Sequence, residues 1–146
     1  MDGSAGTLFY GHSYTGNALA CAAAKASLDI FEREKTLETL QTKIAHLKAE
    51  LSVLSGMPRV EEVRQCGFIA AVELDDRSFG KAALVGAEIC IVAGRYRLLT
   101  RAIRDVVILM PPFCISLEQL TQAVQAIRQA ICDVYTESSI SADASP

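Results

Sequence analysis

The sequence contains no pair of cysteines two residues apart. Its five cysteines, Cys21, Cys66, Cys90, Cys114 and Cys132, are widely spaced, and the two histidines, His12 and His46, lie near none of them. A structural zinc site needs thiolate or imidazole ligands at short, recurring spacings, and a disulfide framework is built on an even set of cysteines. Neither is therefore expected, and the expectation is free thiols buried in a reducing cytoplasm, with no metal. There is no basic stretch followed by an apolar run at the start of the sequence, so secretion is not indicated. The apolar run Ala82–Val92 is too short and too interrupted to cross a bilayer. Basic residues number 14 and acidic ones 17, a net charge of −3 with no basic stripe, which leaves no electrostatic reason to expect nucleic acid or an anionic membrane as partner. Internal repeats and low-complexity blocks are absent too.

What is present is the composition of a globular domain, 51% apolar and 21% charged over 146 residues, enough for one core but not two. The segment Thr7–Asn17 is dense in Gly, Ser, Thr and Tyr and reads as a loop opening a helix, with Asn17 as N-cap. Helices are expected over Ala18–Arg33, with Leu19, Ala22, Ala23, Ala26, Ile30 and Phe31 on a buried face, and over Thr36–Leu54, stopped by Gly56 and Pro58. Val60–Gln65 and Phe68–Leu74 read as strands with a bulge or kink at Cys66-Gly67. A third helix is expected over Phe79–Ala93 with Gly94 as its stop. Short strands follow at Leu98–Thr100 and Val106–Met110, separated by a charged turn, Arg101–Asp105. Ser116 and Gln119 form a capping box for a last helix that ends near Tyr135, before a disordered tail. Strands arrive in adjacent pairs, so the fold class is α+β, a small antiparallel sheet covered by helices.

Three segments carry a resemblance. Gly11-His12-Ser13-Tyr14-Thr15-Gly16-Asn17-Ala18-Leu19-Ala20-Cys21 is similar to the segment that begins the C-terminal part of class III aminotransferases, fold-type I enzymes dependent on pyridoxal 5′-phosphate (PLP). Arg64 to Gly67 resembles the family's Arg-x-x-Gly motif leading into a strand, here Phe68–Leu74. Arg101 followed by Ile108-Leu109-Met110-Pro111-Pro112 resembles its substrate-carboxylate arginine and Leu-Met-Pro-Pro signature. Order and separation agree over Leu8–Tyr135, and the biotin-pathway members are the nearest in pattern. The resemblance implies a C-terminal small domain at residues 36–135, preceded by a phosphate-loop segment and linking helix at 1–35, with 136–146 as tail.

It also implies roles. Ser13 would donate its hydroxyl to the phosphate of a neighbouring subunit's PLP; the alternative is a turn or capping serine. His12 and Tyr14 would line the same site, the alternative being an exposed polar histidine and a packed tyrosine; Gly11 would lie on the substrate side, and Arg101 would grip a substrate carboxylate through two parallel hydrogen bonds. The alternative for Arg101 is a surface arginine in a charged turn. Where the family has proline and glycine, this sequence has Ala102 and Arg104, and an arginine at a position needing positive φ is strained. The implied reaction is amination of 7-keto-8-aminopelargonate, with a small keto acid and an amino donor (S-adenosylmethionine or lysine) as substrates. A homo-oligomer or the N-terminal portion of the enzyme is the implied partner, in the cytoplasm. The family's covalent PLP lysine lies upstream of the Gly11 segment, and none of Lys25, Lys35, Lys43, Lys48 and Lys81 matches it. The chain alone is therefore expected to be inactive, and to associate through Ala18–Arg33. A stand-alone binding or regulatory module, or one half of a split enzyme, built on the same domain is the other reading.

Overall fold

Two pairs of short strands, each joined by a two-residue loop, build the sheet. The computed structural model describes residues 11, 13, 15–75 and 84–142. Its elements are α1 (Ala18–Arg33), α2 (Thr36–Leu51), β1 (Val60–Cys66), β2 (Ile69–Leu74), α3 (Val85–Ala93), a 3₁₀ turn at Gly94–Tyr96, β3 (Arg101–Ile103), β4 (Val106–Leu109) and α4 (Leu117–Ala142). The strands form one antiparallel sheet in the order β1-β2-β4-β3, which is the α+β arrangement expected. The chain divides into two compact units, residues 1–38 and 39–146.

In the second unit, alternation along the strands decides which face is covered. Ala70, Val72 and Leu74 of β2 and Val107 and Leu109 of β4 are buried on one face. They share a single core with Leu47 and Leu51 of α2, Val85, Ile89 and Val92 of α3, and Leu120, Val124, Ile127 and Ile131 of α4. Burying each of these larger side chains contributes about 1.5–3 kcal/mol, which fixes the register, because a one-residue slip would turn the whole set outward. The capping box forms as expected: the Gln119 N–H donates to Ser116 Oγ at 3.1 Å and the Ser116 N–H to Gln119 Oε1 at 2.9 Å. At the far end of β2, the Tyr135 hydroxyl donates to the Asp75 carbonyl at 2.6 Å and ties α4 to the sheet.

Several boundaries differ from expectation, each for a local reason. The helix α2 stops at Leu51, and Leu54 is buried from a run of turns, so Gly56 is not the stop; it has no positive φ, whereas Arg59 has φ 71°. Cys66-Gly67 is not a bulge. Cys66 pairs with Ile69, and Gly67 at φ 57° opens a two-residue hairpin loop whose second residue, Phe68, turns into the core; the register shift lies between Val60 and Glu62. A positive φ at the first loop residue is what hairpin twist demands. Gly94 continues the helix into the 3₁₀ turn, and the left-handed residue that ends it is Arg97, at φ 64°. The helix α4 keeps a helical backbone through Ala142, beyond Tyr135 where a tail was expected. The start of the third helix from Phe79, and Lys81, fall outside the described residues.

Two burial expectations fail. None of the residues of α1 is buried, Leu19, Ala22 and Ala26 included; their unit supplies only α1 and the first residues of α2. The cysteines are free but not buried: Cys21, Cys66, Cys114 and Cys132 are exposed and only Cys90 is half-covered. They sit on the uncovered α1, at the end of the edge strand β1, in the loop before α4 and on the outer side of α4. Burial pushes the Cys90 thiol above its ordinary pKa.

Candidate functional site

In the first unit, Gly11 and Ser13 are both exposed, and Ser13 stands in a turn four residues before the N-cap of α1. Gly16, at φ 76°, reverses the chain so that Asn17 can begin the helix. Asn17 Oδ1 accepts from the Ala20 N–H at 2.9 Å, as its residue type forecast. The first turn of α1 has no acidic residue, so the positive end of the helix is not neutralised from within. A hydroxyl in a glycine turn ahead of such a helix fits a phosphate, by its donors and its field. His12 and Tyr14 lie outside the described residues.

In the second unit, Arg101 is not in a turn but opens β3, and the turn is shortened to Arg104-Asp105. Arg101 pairs with Ile108, Ile108 with Ala71, and Ala71 with Arg64, so one row on the face away from the core joins all four strands. Arg64 and Arg101 thus share a face from opposite edges, about 14 Å apart at the usual strand spacing. Their environments differ. Arg64 is bound by Glu73 and by Glu62, whose hydrogen bonds and charge raise its pKa. Arg101 has no ion pair among the described residues. One arginine is a structural cross-brace, the other an available cation.

Arg101 lines a cavity of about 420 Å³ with Leu98, Leu99, Ile108, Met110 and Pro111 among its walls. Leu99 is 98% exposed and Met110 60% exposed, so apolar surface surrounds the guanidinium on the side open to a ligand. The strand end behind it is fastened by the Thr100 hydroxyl, which donates to the Ile108 carbonyl. Pro111 and Pro112 follow β4 and end the ladder there, since neither has an N–H to give. A planar cation at the edge of an apolar cavity can hold a carboxylate in two hydrogen bonds while its wall takes an alkyl chain.

The hairpin that carries Arg101 is set from behind by a residue absent from the expectations. Gly86, in the first turn of α3, has no room for a side chain: a Cβ there would overlap the Arg104 carbonyl oxygen and lie 2.9 Å from the Ala102 Cβ. Arg104 takes φ 55°, the strained conformation that glycine would accept freely. A glycine inside an otherwise bulky apolar helix is the signal by which Gly86 could have been found. Among the described residues no cluster of His, Cys, Asp and Glu could hold a metal, and no helix is long and apolar enough to cross a membrane.

Residues 3–131 match the family model for aminotransferase class III. The adenosylmethionine-8-amino-7-oxononanoate aminotransferase of Nitratidesulfovibrio vulgaris is 42% identical over 133 residues, 88% of this chain and 24% of that protein. The crystal structure of the enzyme of the same name from Methanocaldococcus jannaschii superimposes with a TM-score of 0.79 at 33% identity, covering 87% of this chain and 30% of that one. The omega transaminase of Pseudomonas jessenii in complex with PMP superimposes with a TM-score of 0.79 at 30% identity, covering 92% and 31%. The chain therefore spans about a quarter to a third of the length of these relatives.

Proposed function

Because the chain belongs to the class III aminotransferase family, we propose that it forms the C-terminal small domain of a cytoplasmic PLP-dependent aminotransferase, one that aminates 7-keto-8-aminopelargonate in biotin synthesis. The observation that carries this reading is Arg101 in its apolar cavity, without an ion pair among the described residues. The proposed substrate has a terminal carboxylate on a chain of methylenes, and the cavity offers a cation for the one and an apolar wall for the other. Arg101 fixes the acid end and thereby orients the distant keto group, and Leu99, Met110 and Pro111 exclude water from the chain between. In the first unit, Ser13 donates its hydroxyl to the cofactor phosphate of a neighbouring subunit, and Gly11 lets the backbone come close to the substrate. Bound PLP supplies the carrier for the amino group. The covalent lysine comes from polypeptide upstream of the matched segment, because none of Lys25, Lys35, Lys43, Lys48 and Lys81 occupies that place. The 146-residue chain is accordingly inactive by itself.

A chimera tests the reading. The matched 133-residue region of the N. vulgaris relative is replaced by this chain, and the product is assayed for amination of 7-keto-8-aminopelargonate. Activity is expected, and Arg101→Ala is expected to raise KM for the acid at least tenfold, equivalent to about 1.4 kcal/mol of lost binding. A chimera that binds PLP yet aminates 7-keto-8-aminopelargonate with the same KM before and after Arg101→Ala would refute it.

A further inference from the structure

Arg101 opens a strand of only three residues at the edge of the sheet, and a guanidinium that takes a carboxylate in two parallel bonds tolerates little error of aim. The hairpin is secured at its turn, where the Leu74 N–H donates to the Asp105 carbonyl at 2.9 Å. At its open end the ladder stops with the pair Arg101 and Ile108, and beyond it Pro111 and Pro112 have no N–H to give. Leu99, at 98% exposed, cannot hold that end by packing. Further back, the Leu98 N–H donates to the Ala93 carbonyl at 3.1 Å.

Between these ties stands Thr100. It is half-buried, and its hydroxyl donates to the carbonyl of Ile108, the residue paired with Arg101. The bond therefore joins the residue before Arg101 to the residue across from it, and braces the two backbone positions from which the guanidinium is aimed. Threonine suits the task. Two heavy atoms on its Cβ restrict χ1, so the hydroxyl keeps its direction at little cost in entropy. The hydroxyl has one proton, and that proton is committed to Ile108. Toward the cavity, which Thr100 also lines, the oxygen offers lone pairs only, and these do not attract a carboxylate. Arg101 is the charged residue of that lining, so any effect of Thr100 on an acid passes through Arg101.

We propose that Thr100 is a positioning residue for Arg101: by tying its hydroxyl to the Ile108 carbonyl, it sets the direction in which the guanidinium meets a substrate carboxylate. The proposal rests on the aminotransferase reading for the identity of that substrate.

A double-mutant cycle in the chimera tests it. Thr100→Val keeps the shape and removes the hydroxyl. It is expected to raise KM for the acid about threefold to tenfold, what one neutral hydrogen bond can give, while kcat changes less than about twofold. Thr100→Ser keeps the hydroxyl and is expected to return KM to within about twofold of the parent. In the Arg101→Ala background, Thr100→Val is expected to add nothing, because the group it positions is gone. A KM indifferent to Thr100→Val although Arg101→Ala raises it, a loss that Thr100→Ser shares, or an equal effect with and without Arg101 would each overturn the proposal. A second measurement needs no catalysis. Heptanoate, a carboxylate on an alkyl chain, is titrated into the 146-residue chain and followed by NMR through the signals of Arg101 and Met110. Thr100→Val is expected to weaken its binding at least threefold and Thr100→Ser to leave it within about twofold; an affinity unmoved by Thr100→Val would overturn the proposal. Failure of the functional reading looks different, since Arg101→Ala itself would then change neither KM nor heptanoate binding.

Discussion

Gly86→Ala tests whether α3 sets the hairpin that bears Arg101. The added Cβ would overlap the Arg104 carbonyl oxygen and lie 2.9 Å from the Ala102 Cβ and 3.2 Å from the Asp105 Cα. Two of these three atoms belong to the backbone of a two-residue loop. That loop cannot simply swing away, since the Leu74 N–H donates to the Asp105 carbonyl at 2.9 Å and ties it to β2. Overpacking of a close contact costs about 1–3 kcal/mol, and alanine returns up to about 1 kcal/mol of helix propensity over glycine. The expected net loss is about 1–2 kcal/mol. Urea unfolding of the 146-residue chain, followed by circular dichroism, reads this as a lower midpoint at unchanged slope. With a slope of about 1–3 kcal/mol per molar urea, the midpoint falls by roughly 0.3–2 M. In the chimera the same change should raise KM for the acid by moving Arg101. A midpoint at or above that of the parent would refute the argument, because the propensity gain would then stand unopposed.

Arg104→Gly should raise stability by about 0.5–1 kcal/mol, since relief of a left-handed arginine outweighs the extra freedom of glycine in the unfolded chain; a lower urea midpoint would deny the strain. Tyr96 and Asp133 form a pH-dependent tether in which the hydroxyl donates to the carboxylate at 2.5 Å. That bond, with the Gln129 amide second, holds the Asp133 carboxyl below its ordinary pKa, and the bond to Asp133, with burial second, holds the Tyr96 hydroxyl above its own. The Asp133 contribution is present above the ordinary carboxylate range and lost as pH falls through the depressed value; the Tyr96 contribution is present below the ordinary phenol range and lost as pH rises through the raised one. Tyr96→Phe should therefore lower the melting temperature near neutral pH and flatten both limbs of its pH profile, and an unchanged profile would dismiss the tether. Because α1 buries none of its residues, the isolated chain should self-associate through Ala18–Arg33, and light scattering showing a monomer at high micromolar concentration with α1 still helical would contradict this.

Much of the fold was legible because the strongest local signals agree with the tertiary result. The spacing of Leu40, Leu47 and Leu51, the strand Ile69–Leu74 with Ala70, Val72 and Leu74 on its covered face, and the Ser116–Gln119 box were each expected, and each is found. The misplaced boundaries share a cause. Glycines were read as stops and bulges because glycine accepts positive φ most readily, yet among the described residues the left-handed positions outside Gly16 and Gly67 are occupied by Lys35, Arg59, Arg97 and Arg104. Long basic residues carry no turn signal, so the end of the 3₁₀ turn at Arg97 and the hairpin at Arg104 were shifted or merged, although the end of α1 at Arg33 is found as expected. The buried face drawn on α1 failed differently: periodicity says which residues can share a face, not whether its own unit provides a surface to cover it.

The site divides along the same line. Arg101 was found by the residues around it in sequence, the run Ile108–Pro112, and the sheet makes physical sense of that spacing by pairing Arg101 directly with Ile108 across a two-residue loop. Arg64 came from an equally good motif, yet two carboxylates neutralise it and it braces the sheet instead. The distinction between an available cation and a satisfied one is set by which residues stand opposite on neighbouring strands, and Glu73 is opposite Val106, not Arg101. Gly86 lies fifteen residues before Arg101, so no local pattern ties the two. What connects them is that a helix without a Cβ at its first turn can press on the hairpin backbone, and a cation on a three-residue edge strand is only as well aimed as the hairpin beneath it.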